Sequence, residues 1–230
     1  MKLKKFTLKS RTAVLIILSI IVADQALKIW VKTTLSYHEQ IPLIGSWFRL
    51  FFIENEGMAW GWKFGGEWGK VLLTVFRMVA VVFGVFYIRG IIRKKYHTGF
   101  IVCVSMIFAG ALGNLIDSMF YGLIFEDSTR VAVAKIFPPK GYEGFLHGRV
   151  VDMLYMPIIE DKVLPSWIPV WGGERFTFFS PIFNLADASI SIGVIIILLF
   201  QKKFFHKKPN EGRHSTVDTN TTVTDTAQVS

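Results

Sequence analysis

Asn184 and Asp187 stand three residues apart where an apolar run begins that continues to Phe200. On a helix that spacing puts both on one face. Counted from Ile182, the run holds about 20 residues, enough at about 1.5 Å each to cross a bilayer core of about 30 Å. A carboxylate at the mouth of such a span is costly unless it has a partner or a task. Other apolar runs carry similar groups. Asp24 and Lys28 are four apart and can pair along one helix face. Gly110, Gly113, Asn114 and Asp117 fall at i, i+3, i+4 and i+7, a small-and-polar stripe that admits a neighbouring helix closely. Asn55 and Asp152 lie in the segments between runs, and Arg77 lies inside one.

The chemistry open to this set is acid–base chemistry. The chain has no Gly-x-Ser-x-Gly elbow and no His-Glu-x-x-His helix, and its five His residues do not cluster. Two carboxylates that share a proton split into one acid and one base, and can drive water onto an amide. An intramembrane aspartic hydrolase is the enzyme reading. No metal or organic cofactor is expected, because the carboxylates supply both acid and base.

Four apolar spans must position these groups, at about 12–31, 69–88, 99–120 and 182–201, within a domain of residues 12–203. At 52% hydrophobic residues and a mean hydropathy of +0.44, the 230-residue chain is too apolar for an ordinary soluble domain. The net charge of +9 sits beside the spans, so it reads as a topology signal rather than a nucleic-acid footprint. Three basic clusters, at residues 1–11, around Arg93 and after Phe200, put both termini and the loop at Arg93 in the cytoplasm. A cleavable leader ending near Ala23 is the lesser reading, since apolar character resumes at Ile29. Residues 33–68 and 121–180 then lie outside, with one or two short strands expected between Ile41 and Ile53. Residues 204–230 form a basic and polar tail expected to be disordered. Cys103, alone inside an apolar run, reads as a small buried residue. With this topology Asp24, Lys28, Asn55, Asn114, Asp117, Asp152, Asn184 and Asp187 converge on the outer membrane boundary.

Five short motifs occur in order: Asp24-Gln25-Ala26-Leu27-Lys28, Asn55-Glu56-Gly57-Met58-Ala59-Trp60-Gly61, Gly113-Asn114-Leu115-Ile116-Asp117, Val150-Val151-Asp152 and Phe183-Asn184-Leu185-Ala186-Asp187. Together they resemble the motif set of bacterial lipoprotein signal peptidase, signal peptidase II, over about Arg11 to Lys203. The resemblance implies a membrane all-α core of four transmembrane helices with a small extracytoplasmic β-cradle and loop insertions. It implies an aspartic endopeptidase that cuts prolipoproteins on the N-terminal side of a diacylglyceryl-modified cysteine, working in the inner membrane among its lipids, with its site at the periplasmic face. By motif, Asp152 and Asp187 would be the catalytic pair, with Asn114 and Asn184 beside them. Asp24 and Lys28 would support the site, Asn55 and Gly57 would belong to the substrate loop, and Asp117 would order the site. The oligomeric state is left open, a monomer sufficing.

Two stretches, between Asp117 and Arg149 and between Pro157 and Ser180, look like insertions, and the second carries Trp167 and Trp171. The family usually has Arg after the residue matched by Asp117, where this chain has Ser118. Arg77, about 12 Å along its span from Gly69, is expected to fill that cationic role, with Arg149 as rival. An ion- or proton-coupled carrier and a non-catalytic assembly factor are the competing classes. Acids gathered at one level, without an internal repeat, argue against the carrier.

Overall fold

Asp24, Lys28 and Lys32 recur every four residues, so a helix gathers them into one stripe. That helix is α1 (Leu8–Thr34), and all three side chains are buried. The structure, a computed structural model, describes residues 8–56, 66–167, 169, 172–178 and 181–205. The other long helices are α2 (Gly66–Arg93), α3 (Thr98–Ile116) and α5 (Leu185–Phe205). A π-helical turn (Asp117–Tyr121) and a short helical turn, α4 (Gly122–Ile124), extend α3. Four segments are long and apolar enough to cross a membrane: Lys9–Thr34, Trp68–Arg93, Thr98–Ile124 and Leu185–Phe205. The third is half buried inside the protein and the others are mostly exposed, so α3 is the centre of the bundle. Leu72, Phe76 and Phe83 of α2 face outward, as suits a lipid surround.

The close approach of α3 to α5 rests on small residues. A Cβ on Gly110 would fall 2.3 Å from the Ala186 carbonyl oxygen. Gly110→Val is therefore expected to push the helices apart at a cost of about 1–3 kcal/mol. Thermal unfolding in detergent reads this directly, and an unchanged midpoint would show that the contact yields.

One end of the bundle carries strands. β1 (Gln40–Ile44), β2 (Phe48–Asn55), β3 (Val150–Tyr155) and β6 (Ile182–Phe183) form an antiparallel sheet in the order β1-β2-β3-β6. Its β2–β3 register sets Ile53 opposite Asp152, Glu54 opposite Val151 and Asn55 opposite Val150. Phe52, Val151 and Met153 pack with Val31 and Leu35 of α1 and with Tyr121 and Phe125. A second apolar cluster, with Ala13, Ile91, Phe100, Cys103 and Phe204, closes the other end.

The spans run a few residues longer than the sequence reading at most ends, and two boundaries differ from it in kind. Ile182 and Phe183 do not begin the last span; they pair with Tyr155 and Leu154 as β6. Asn184 then caps α5, its Oδ1 accepting from the Asp187 amide at 2.9 Å. The helix starts at Leu185, so Asn184 sits at its mouth rather than on its face. At the end of α3, the π-helical turn leaves carbonyls that the first insertion satisfies. Gly148 N donates to Ser118 O at 2.9 Å and Leu146 N to Met119 O at 3.2 Å. A Cβ on Gly148 would lie 2.0 Å from the Asp117 carbonyl, so only glycine allows this approach. The second insertion forms the hairpin β4 (Ile159–Val163) and β5 (Arg175–Phe178), with Trp167 exposed. Trp171, residues 1–7 of the basic N-terminus and the tail beyond Phe205 lie outside the described residues.

Candidate active site

Lys28 is the anchor of the site. Its ammonium has three N–H groups and meets three acceptors: Asp117 Oδ2 at 2.8 Å, Asp24 Oδ2 at 2.9 Å and Asn114 Oδ1 at 2.8 Å. All four side chains are buried. Gln25 adds a second link from α1, donating to Asp117 Oδ1 at 2.8 Å and to the Gly113 carbonyl at 3.2 Å. Tyr121 donates to Gln25 Oε1 at 3.2 Å. The carboxylates also reach other elements. Asp24 accepts through its outer Oδ1 from the Ala186 amide at 2.9 Å, and Asp117 Oδ2, the oxygen that faces Lys28, accepts from the Val151 amide at 3.4 Å. One buried charge network thus joins α1, α3, the first turn of α5 and β3.

That network hands two asparagines to two acids. Asn114 Nδ2 donates to Asp187 Oδ1 at 2.7 Å. Asn184 Nδ2 donates to Asp152 Oδ1 at 2.7 Å, and lies 3.1 Å from Asn114 Oδ1 and 3.3 Å from the Val151 carbonyl. Asn55 also hydrogen-bonds Asp152. Asn55 lies two positions along from Ile53, the partner of Asp152 in the register, so this is a diagonal contact on one sheet face. Asp152 is buried and Asp187 half-buried. Burial first, and then the neighbouring Asp187 carboxylate, push Asp152 up to about 7. A carboxyl that keeps its proton near neutrality beside a more accessible carboxylate is an acid next to a base.

A family model described as Signal peptidase (SPase) II matches residues 16–203. The chain belongs to the signal peptidase II family. It is 49% identical over 189 residues to a lipoprotein signal peptidase of Porphyromonas gingivalis, covering 81% of this chain and 80% of that protein. A lipoprotein signal peptidase of Amoebophilus asiaticus is 38% identical, covering 78% of this chain and 72% of its own. A solved bacterial membrane enzyme, determined by the in meso method at 2.3 Å resolution, superposes with a TM-score of 0.54 at 26% identity, covering 93% of this chain and all of that one.

Within this signal peptidase II, Asp24, Lys28, Asn55, Asn114, Asp117, Asp152, Asn184 and Asp187 meet in one connected cluster, and Gly57 lies outside the described residues. Arg77 donates to Ser118 Oγ at 3.2 Å, and Ser118 Oγ donates to the Asn114 carbonyl at 3.0 Å. The Arg77 charge acts on Asp187, Asp117 and Asp152, in that order. Arg149 is engaged elsewhere, with Glu54 at 3.0 Å and Asp127 at 2.7 Å. Sequence reasoning passed over Gln25 and Tyr121. Gln25 is a polar group inside the first apolar span, three residues before Lys28, which was the available signal, whereas Tyr121 falls just past the expected third span, where nothing local marks it.

Proposed function

We propose that Asp152 and Asp187 are the catalytic pair of this enzyme, with Asp152 the acid and Asp187 the base. The enzyme is a multi-pass membrane peptidase that removes signal peptides from prolipoproteins. The observation that carries the catalytic assignment is the pair of amide hydrogen bonds, Asn184 to Asp152 and Asn114 to Asp187, which hold two acids from different elements at one network. In the mechanism, Asp187 takes a proton from water while the water oxygen bonds to the scissile carbonyl carbon. Asp152 gives its proton to the carbonyl oxygen, forming a neutral tetrahedral diol. The diol returns a hydroxyl proton to Asp152 as the C–N bond breaks, and Asp187 passes its proton to the departing nitrogen. One water is consumed and both acids regain their starting states. The acid form of Asp152 is lost above about pH 7, so kcat/KM falls through that region.

The substrate cut is placed on the N-terminal side of a diacylglyceryl-modified cysteine. Such a substrate, with two acyl chains and an apolar signal helix, arrives in the lipid. The site is assigned to the periplasmic face of the inner membrane, with both termini cytoplasmic, as the basic clusters direct. The test is a gel-shift assay with purified protein and a prolipoprotein carrying or lacking the diacylglyceryl group. The product's new N-terminus is then mapped by mass spectrometry. Cleavage of the modified form alone, directly before the modified cysteine, is expected. Failure on an authentic modified substrate would overturn the reading.

Arg77 takes the place of the cation that the family carries after Asp117. Arg77→Gln is expected to lower kcat/KM about 10- to 100-fold in a folded enzyme, and Ser118→Arg to restore much of the loss. Full activity of Arg77→Gln would remove Arg77 from the site.

A further inference from the structure

Glu54 precedes Asn55 on β2, and adjacent strand residues point to opposite faces. Asn55 reaches Asp152 on one face. On the other, the Glu54 carboxylate is almost wholly buried and holds two cations. Its Oε1 accepts from Lys32 and, at 2.8 Å, from Ser128; its Oε2 accepts from Arg149 at 3.0 Å. Lys32, fully buried, also donates to Ser128 Oγ at 2.7 Å and lies 5.4 Å and 4.9 Å from the Phe125 and Tyr142 ring centres. Arg149 stacks on Tyr142 at 4.7 Å and bridges to Asp127. The cluster therefore ties the end of α1, the end of β2, the first insertion and the residue just before β3.

We propose that Glu54 is a positioning residue for the acid pair. A buried carboxylate holding two cations tolerates little displacement, because each broken contact leaves an uncompensated charge. Seating Lys32 and Arg149 fixes β2 against the start of β3. With the Ile53–Asp152 and Asn55–Val150 pairing, that sets the reach of Asn55 to Asp152 and the place of Asp152 beside Asp187. The first insertion is thereby a brace for the catalytic strand. This inference rests on the peptidase reading of the site.

The test uses the full-length protein in detergent and compares wild type, Glu54→Gln and the double variant Lys32→Met/Glu54→Gln. Melting temperature, kcat, KM and the alkaline limb of kcat/KM are measured on the modified prolipoprotein. Glu54→Gln is expected to melt lower, because Lys32 loses its counter-charge, and to lose kcat by about 100-fold, the scale of an ångström-level misplacement, with little change in KM. The double variant removes both charges, so it recovers the melting temperature. Its kcat stays low, because the neutral amide offers Arg149 and Ser128 one acceptor oxygen where the carboxylate offered two and a counter-charge. Its alkaline limb stays about half a unit more acid than wild type. Among the described residues, Asp187, Lys28 and Arg77 act on Asp152 by their charge, and none is altered. The two removed charges cancel, so a residual displacement reports geometry. Recovery of kcat together with melting temperature would overturn the proposal, as would a Glu54→Gln enzyme with wild-type kcat and limb. If Glu54→Gln does not fold, the double variant decides alone. An inert wild type would instead overturn the peptidase reading itself.

Discussion

Asp152→Asn and Asp187→Asn are each expected to abolish signal-peptide removal, with kcat/KM down by about 10^4-fold, while the protein stays folded. The substitutions are close to isosteric, and the native hydrogen bonds survive them. An asparagine at 187 can still accept from Asn114 Nδ2 through its carbonyl oxygen, and one at 152 can still accept from Asn184. What is lost is the proton economy. Asparagine at 187 cannot take a proton from water, and asparagine at 152 cannot give one to the scissile carbonyl oxygen or take one back from the diol. Helix content, melting temperature and gel-shift cleavage are measured on the same preparations. Cleavage within 10-fold of wild type by either variant would remove that residue from the chemistry.

Lys28→Met is expected to produce the largest loss of stability, about 3–5 kcal/mol. The ammonium is the shared counter-charge of Asp24 and Asp117, both buried, and methionine leaves them with only the neutral Gln25 amide between. Asn114 Oδ1 also loses a donor, which loosens the amide that holds Asp187. Activity should fall with stability. A triple variant, Lys28→Met with Asp24→Asn and Asp117→Asn, removes the stranded charges and is expected to recover much of the melting temperature without recovering activity. Thermal unfolding in detergent checks both. A Lys28→Met protein that melts with wild type would show that the network does not hold the helices together.

The stripe of α1 and the strands of residues 40–55 were legible in the sequence because both rest on local signals. Four-residue spacing puts Asp24 and Lys28 on one helix face whatever surrounds them, and the aromatic and β-branched residues between Ile41 and Ile53 mark strands. The start of α5 was not legible, because Ile182-Phe183 reads equally as helix or strand; only pairing with Leu154 and Tyr155 decides it. The π-helical turn is likewise tertiary in origin, since its displaced carbonyls are met by amides about 30 residues away. Asn55 was assigned to substrate from its motif, and its hydrogen bond to Asp152 depends on a β2–β3 register that no local pattern announces. The pairing of Lys32 with Glu54 was hidden for the same reason. Alone, Lys32 reads as a basic residue at a span end, and its burial appears only when the first insertion covers it.

The central claim is that one proton is shared by a buried acid and a more accessible carboxylate. The measurement that tests it most directly is the pH dependence of kcat/KM for the wild-type enzyme on the modified prolipoprotein, since this ratio reports the free enzyme's ionisations. Asp152 holds its proton below about 7 and loses it above. Activity should therefore fall tenfold for each further pH unit once the medium passes that value. A bell-shaped profile with its alkaline limb near pH 7 is the predicted result. A profile flat from about pH 5 to pH 9 would mean that no carboxyl proton is used, and would contradict the account.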